Sequence, residues 1–305
     1  MVVTPSAAMI SARVRPFGWA RGLPGRFGGY GDNVNGMSDK PLVSFDTSKP
    51  NIARAYDFML GGKDNFAADR ELAAKLLEIY PLAGALAREN RGFLARAVDL
   101  VSRHGVNQFI DVGSGLPTRP NTHEVASAVS EGARVVYVDN DPVVISHARA
   151  LLAEEGKVAA VPGDARRPEE ILAGPALAAM IDLNKPACVI LAMMLHFFEP
   201  SQAQHIVSTF VRAVAPGSFL IISVGVSNHA PDLADRVTTA YTAGALHTHD
   251  RQQIAGYFTG LEILEPGLTE VRNWPATQPD TVTPERPADV LAGVGRKPTP
   301  APLST

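Results

Sequence analysis

The stretch Val106-Asn-Gln-Phe-Ile-Asp-Val-Gly-Ser-Gly-Leu-Pro-Thr118 decides how the rest of the chain is read. Val106, Phe109, Ile110 and Val112 form a short β-branched and aromatic run that stops at two glycines, and a helical pattern follows. The order is strand, tight turn, helix. Gly113 and Gly115, with Ser114 between them, let the backbone bend and let a ligand approach where a Cβ would intrude. The helix start near Thr118 to Thr122 offers free N–H groups and a positive dipole end. Asp111 precedes the turn at the carboxyl end of the strand, where open parallel sheets bind ligands.

Working outward, Arg134 to Val138 is a second apolar strand that ends in Asp139-Asn140-Asp141-Pro142. An acid about twenty residues beyond such glycines is placed to accept hydrogen bonds from both ribose hydroxyls of a nucleotide-like ligand. A third strand, from Lys157, ends in Gly163-Asp164-Ala165, where a carboxylate can reach an adenine amino group. Together the three acids describe a ligand with an amine, a ribose and an adenine, and without a pyrophosphate. The dinucleotide fingerprint G-x-G-x-x-G is broken, because Thr118 stands at the third glycine and Pro117 removes an N–H before it. Asp111 would repel a pyrophosphate but suits an ammonium group. S-adenosylmethionine fits these residues better than a nicotinamide dinucleotide does.

Composition sets the frame. The 305 residues carry a formal net charge of −3 and 46% apolar residues, enough for one large domain or two modest ones, and nothing points to a polyanionic partner. No apolar run approaches a membrane span. The single cysteine, Cys188, lies inside an apolar strand and reads as a small buried residue; with no intrachain disulfide possible, a reducing cytoplasm is the expected compartment. Residues 1–48 are rich in Gly, Pro, Ser and Arg without periodicity and are expected to be a disordered arm, with Met37 as a candidate true start. The Pro-rich tail, residues 298–305, is expected to be disordered as well.

Between the arm and the glycine turn, residues 49–105 read as three helices. The first runs from Asn51 to Gly61; the second, capped by Asp64 or Asn65, runs to Tyr80; the third runs from Ala83 to His104. Such an extension packs across strand ends as a lid, so Tyr56, Asp57, Lys63, Asn90 and Arg91 become candidates to touch cofactor or substrate.

The block Tyr56-Asp-Phe-Met-Leu-Gly-Gly-Lys63, followed by Asp111-Val-Gly-Ser-Gly-Leu-Pro-Thr118 and Val136-Tyr-Val-Asp-Asn-Asp-Pro142, resembles an actinobacterial S-adenosylmethionine-dependent methyltransferase family long described as a domain of unknown function. The likeness covers about residues 48–297. It implies an α/β, Rossmann-like class I methyltransferase fold: a seven-stranded, mostly parallel sheet with helices on both faces, a core over residues 106–297 and an N-terminal helical cap. Carried over by position, Asp111, Gly113 and Gly115 match the turn at the methionine end, Asp139 with Asn140 the ribose acid, and Asp164 with Ala165 the adenine edge.

The fourth strand, Ala187 to Ala192, ends in Met193-Met-Leu-His-Phe-Phe198, which in this fold lies beside the transferring methyl. Met193 is a candidate cofactor contact and His196 a candidate general base. The Asn/Asp/Ser-Pro-Pro-Tyr motif with which DNA amino-methylating enzymes grip a flipped base is missing, so a small-molecule acceptor, with oxygen, nitrogen or carbon as the methylated atom, is expected rather than nucleic acid. His247-Thr-His249 lacks the partners of a zinc site, and Asp250 reads as a helix cap. Residues 261–265 and 288–294 read as antiparallel closing strands, with Trp274 to Arg286 as a loop between them. Two rival readings remain: a non-catalytic sensor of S-adenosylmethionine or S-adenosylhomocysteine, and a nicotinamide-dependent oxidoreductase.

Overall fold

The computed structural model describes residues 46–151, 156–226, 231–240, 245–274 and 290–299. Most of the N-terminal arm, Met37, residues 275–286 of the closing loop and the end of the tail lie outside them. Three helices come first: α1 (Ile52–Met59), α2 (Ala67–Ile79) and α3 (Ala83–Arg103). The strands are β1 (Gln108–Val112), β2 (Arg134–Asp139), β3 (Val158–Pro162), β4 (Cys188–Ala192), β5 (Phe219–Gly225), β6 (Glu262–Ile263), β7 (Thr269–Glu270) and β8 (Val290–Arg296). Between them lie α4 (Thr122–Val129), α5 (Pro142–Leu151), α6 (Pro168–Leu172), α7 (Pro175–Met180), α8 (Pro200–Ala213), α9 (Pro231–Ala240) and α10 (Arg251–Gly256).

The sheet order is β3-β2-β1-β4-β5-β8-β6, with β7 also on β8. Strands β1 to β5 are parallel. Strand β8 runs antiparallel to β5 on one side and to β6 and β7 on the other. The count is eight where seven are expected, because the sixth position is divided. After β6, Leu264 N–H donates to Val294 O, the chain turns at Gly267, and β7 rejoins β8 at Ala292 and Leu291.

Alternation along the strands builds two cores. Ile110, Val112, Val136 and Val138 pack with Leu177, Ile206 and Phe210 on one face, while Phe109, Val135 and Tyr137 pack with Phe93, Val98 and Ala126 on the other. Cys188 is fully buried on that second side, as its apolar surroundings in sequence suggest. Trp274 is no mere loop residue. It is fully buried, meets Phe93 edge to face at 5.3 Å, and its carbonyl accepts from Arg96 Nε at 2.7 Å.

The cap helices are held by a buried acid. Asp69 accepts from Asn51 N, Phe66 N and Arg54 Nε, at 2.8, 2.8 and 3.2 Å, so one carboxylate joins the starts of α1 and α2. Phe66, rather than Asp64 or Asn65, occupies the N-cap of α2; its side chain cannot cap, and Asp69 in the first turn reaches back to accept from the Phe66 backbone N–H. Because the order of strands reverses between β1 and β4, a crevice opens at their carboxyl ends. The cap lies over it.

Candidate active site

A cavity of about 770 Å³ opens there, lined from the sheet by Asp111, Gly113, Ser114, Gly115, Asp139, Asn140, Gly163, Asp164, Ala165, Met193 and His196, and from the cap by Tyr56, Asn90 and Arg91. Its size suits a cofactor together with a small substrate. Of the cofactor residues expected from sequence, Lys63 alone stays outside and is exposed.

The reason lies in Asp57. Its Oδ2 accepts from Asp64 N at 3.0 Å and Asn65 Nδ2 at 2.9 Å, and its carbonyl accepts from Gly62 N at 2.8 Å. The Gly61-Gly62-Lys63 turn therefore folds around a buried carboxylate, whose pKa burial raises, and Lys63 is left facing solvent. Gly61 takes φ +83°, and a Cβ on Gly62 would stand 1.9 Å from Asp57 Oδ1. Gly62→Ala is expected to destabilise the protein by about 1–3 kcal/mol, measured by urea unfolding; a change within about 0.5 kcal/mol would mean the turn has room that this packing denies.

At the glycine turn, Gly113 and Gly115 have φ of +67° and +66°. Asp139 ties this turn to β2: its Oδ2 accepts from Gly115 N and its Oδ1 from Asp141 N, both at 2.9 Å. Asp111 accepts from Thr122 Oγ1 at 2.7 Å. Burial pushes Asp111 up to about 6, against the Thr122 hydrogen bond and the Arg91 charge, which lower it. Arg91 donates through Nη2 to Thr118 O and Pro120 O, at 2.6 and 2.7 Å. Its buried Nε and the buried Ser114 Oγ have no protein partner among the described residues.

Two orphaned polar groups beside the glycine turn, and a Gly115 whose added Cβ would meet only Ala53 Cβ at 4.0 Å, are what an amino-acid-bearing cofactor needs. The residues fit S-adenosylmethionine. Gly163 serves packing, since a Cβ there would stand 2.6 Å from Val138 Cγ1. Asp164 is gripped by Arg166, with Nη2 to Oδ2 at 2.7 Å, and this side-chain hydrogen bond holds its carboxyl below the usual range. A ligand amino group there meets an ion pair rather than a bare carboxylate.

At the end of β4, Met193 adopts φ +53°, a left-handed backbone held because its N–H donates to Ser223 O at 2.8 Å and Ser223 Oγ at 3.0 Å. Ser223 Oγ donates to Asn90 Oδ1 at 2.7 Å, Asn90 Nδ2 to Tyr56 OH at 3.2 Å, and Tyr56 OH to Ala87 O at 3.0 Å. This chain of bonds joins cap to sheet. Ser223 gave no signal in sequence, sitting mid-strand in an apolar run.

His196 lines the cavity, and its Nδ1 faces Gly225 N–H at 3.4 Å as the acceptor, which leaves the ring proton on Nε2. Burial, with His249 adding a smaller push, lowers its pKa to about 3. A ring so reluctant to take a proton is a poor general base, contrary to the role its position suggests. His249 is committed on both nitrogens, Nε2 to Phe198 O at 3.0 Å and Nδ1 to Tyr257 OH at 2.6 Å. Asp250 caps α10, accepting from Gln253 N at 2.7 Å.

A parallel five-stranded block extended by an antiparallel strand, with a cavity over the β1 to β4 switch point, is the Rossmann-like fold of class I methyltransferases. The chain belongs to the S-adenosyl methyltransferase family, whose model matches residues 38–298, and its cofactor is S-adenosylmethionine. It is similar to a candidate methyltransferase of known structure from Thermobifida fusca, with 40% identity, a TM-score of 0.80, and coverage of 86% of this chain and 100% of that one. A DUF574 family protein from Streptomyces avermitilis is 36% identical, with a TM-score of 0.77 and coverage of 83% and 99%. No curated protein matches the chain. No helix among the described residues is long and apolar enough to cross a membrane.

Proposed function

We propose that this enzyme methylates a small molecule held under the cap, beside the cofactor. The observation that carries the reading is the division of the one cavity. Its sheet side presents the acids and glycines, while Met59, Leu76, Phe197, Val237 and Leu246 form an apolar end next to Met193 and His196. When bound, S-adenosylmethionine supplies an electrophilic methyl group on its sulfonium for in-line transfer. The chain's own work is alignment and exclusion of water. Asp139 and Asn140 hold the ribose, Asp164 with Arg166 and Ala165 the adenine edge, and Asp111, Ser114 and Arg91 the ammonium and carboxylate of the methionine end. Calorimetric titration with S-adenosylmethionine, S-adenosylhomocysteine and nicotinamide dinucleotide in parallel tests this: micromolar binding of the first two alone is expected, and binding of the dinucleotide alone would overturn it.

The raised pKa of Asp111 gives a pH signature. A bound ammonium favours the ionised carboxylate, so affinity for S-adenosylhomocysteine is expected to fall as pH drops through about 6, by up to about tenfold per pH unit. The stability of the ligand-free protein moves the other way. The folded state retains a proton that the unfolded chain has released, so this group's contribution declines as pH rises from the ordinary carboxylate range through about 6. Asp111→Asn should flatten the binding profile; a wild-type profile already flat across that range would place the ammonium elsewhere.

A further inference from the structure

Two histidines line the cavity near its apolar end, and they are not equivalent. His196 has its Nδ1 lone pair facing Gly225 N–H. His247 is placed otherwise. Its Nδ1 lies 3.1 Å from Glu199 Oε1, and its backbone N–H donates to His196 O at 2.8 Å, which fixes the segment carrying it against the turn after β4. A carboxylate on Nδ1 selects the tautomer with its proton there, and the lone pair is left on Nε2. Glu199 is able to hold the ring in this way because, although it stands at the N-cap of α8, its side chain makes no capping hydrogen bond.

We infer that His247, oriented by Glu199, takes the proton from an uncharged, largely apolar acceptor that bears a hydroxyl group, an inference that rests on the methyl-transfer reading above. The chemistry of the wall sets the acceptor class. Met59, Leu76, Phe197, Phe198, Val237 and Leu246 line the cavity here, and the Asp57 carboxylate on the same cap helix is held by Asp64 N and Asn65 Nδ2, so these walls suit an uncharged acceptor better than a charged one. A hydroxyl, unlike a neutral amine, needs its proton removed to become an effective nucleophile, and an imidazole held by a carboxylate serves that need. In the step, the acceptor oxygen forms a bond to the methyl carbon as the carbon–sulfur bond breaks. The electron pair of that bond stays on sulfur, and the hydroxyl proton passes to His247 Nε2. The products are a methyl ether, S-adenosylhomocysteine and a protonated imidazole that returns its proton to water.

The test uses the full chain loaded with S-adenosylhomocysteine and two phenolic probes, 4-nitrophenol and 2-naphthol, held below the free phenols' own pKa. Wild-type protein is expected to bind them and to show the phenolate absorption of bound 4-nitrophenol. His247→Gln should cut the ionised fraction about tenfold, the equivalent of one pKa unit, with the affinity for S-adenosylhomocysteine retained. Glu199→Gln should lower it and Glu199→Asp restore part of it, which a merely structural role at the start of α8 would not produce. If His247→Gln fails to fold, the Glu199 pair carries the decision. An ionised fraction unchanged in His247→Gln, or lost in His196→Gln alone, overturns the assignment of the base; failure of both probes to bind the loaded protein overturns the acceptor class. Absence of S-adenosylhomocysteine binding in the first titration removes the underlying reading instead, and the inference with it.

Discussion

Asp69→Ala is expected to lower the stability of the folded chain by about 3–5 kcal/mol, the loss seen when one partner of a buried ion pair is removed. The Arg54 side chain is 5% exposed and that of Asp69 is 0% exposed, so the pair has no water to fall back on. Truncating Asp69 also strips the acceptor from Asn51 N and Phe66 N, so the N–H groups that lead into both helices are left unpaired, although Asn51 Oδ1 still caps α1. Thermal unfolding should shift down on the order of 10 °C. The double variant Arg54→Met with Asp69→Leu should recover much of this, because it removes the stranded charge as well as the pair. A loss below about 1 kcal/mol in the single variant would show that Arg54 swings out to solvent. Cofactor affinity should fall along with stability, since α1 places Ala53 and Tyr56 on the cavity wall.

The succession of strands along the chain, and the residues that gather at their carboxyl ends, were legible because their signals are local. An apolar run of period two, a pair of glycines and an acid at a strand tip sit within a few residues of one another, and physics acts on them there. Asp111, Gly113, Gly115, Asp139, Asn140 and Asp164 all reach one cavity for this reason. Lys63 was misread because its direction depends on Asp57, a neighbour whose carboxylate is satisfied only once the turn closes on it. Long-range pairings leave no spacing rule at all. Asn90 meets Ser223, Trp274 meets Phe93, and Glu199 meets His247, each joining segments far apart in the chain, so residue type alone could not announce the partner. His196 shows a further limit: its place on the cavity wall after β4 follows from the motif, but its tautomer follows from Gly225.

Asp139→Ala should weaken S-adenosylhomocysteine binding by about 10²-fold or more, from the loss of two hydrogen bonds to a charged acceptor at roughly 1.5–3 kcal/mol each. This residue carries one role that is proposed and another that the structure shows. One is the ribose, which sequence position predicts; the other is the glycine turn, through Gly115 N, and the start of α5, through Asp141 N. The thermal midpoints of Asp139→Ala and Asp139→Asn tell them apart. An amide has one oxygen to offer, and its NH2 must then face either the Gly115 or the Asp141 N–H, donor against donor, so even a nearly isosteric change leaves a buried group unpaired. If the ribose contact dominates, both variants lose affinity by titration calorimetry while their thermal midpoints stay close to wild type. If the turn dominates, the midpoints fall in step with affinity, and raising the ligand concentration restores both. Affinity unchanged in both variants would mean that the ribose does not sit at the end of β2, and that the cavity holds its cofactor in some other orientation.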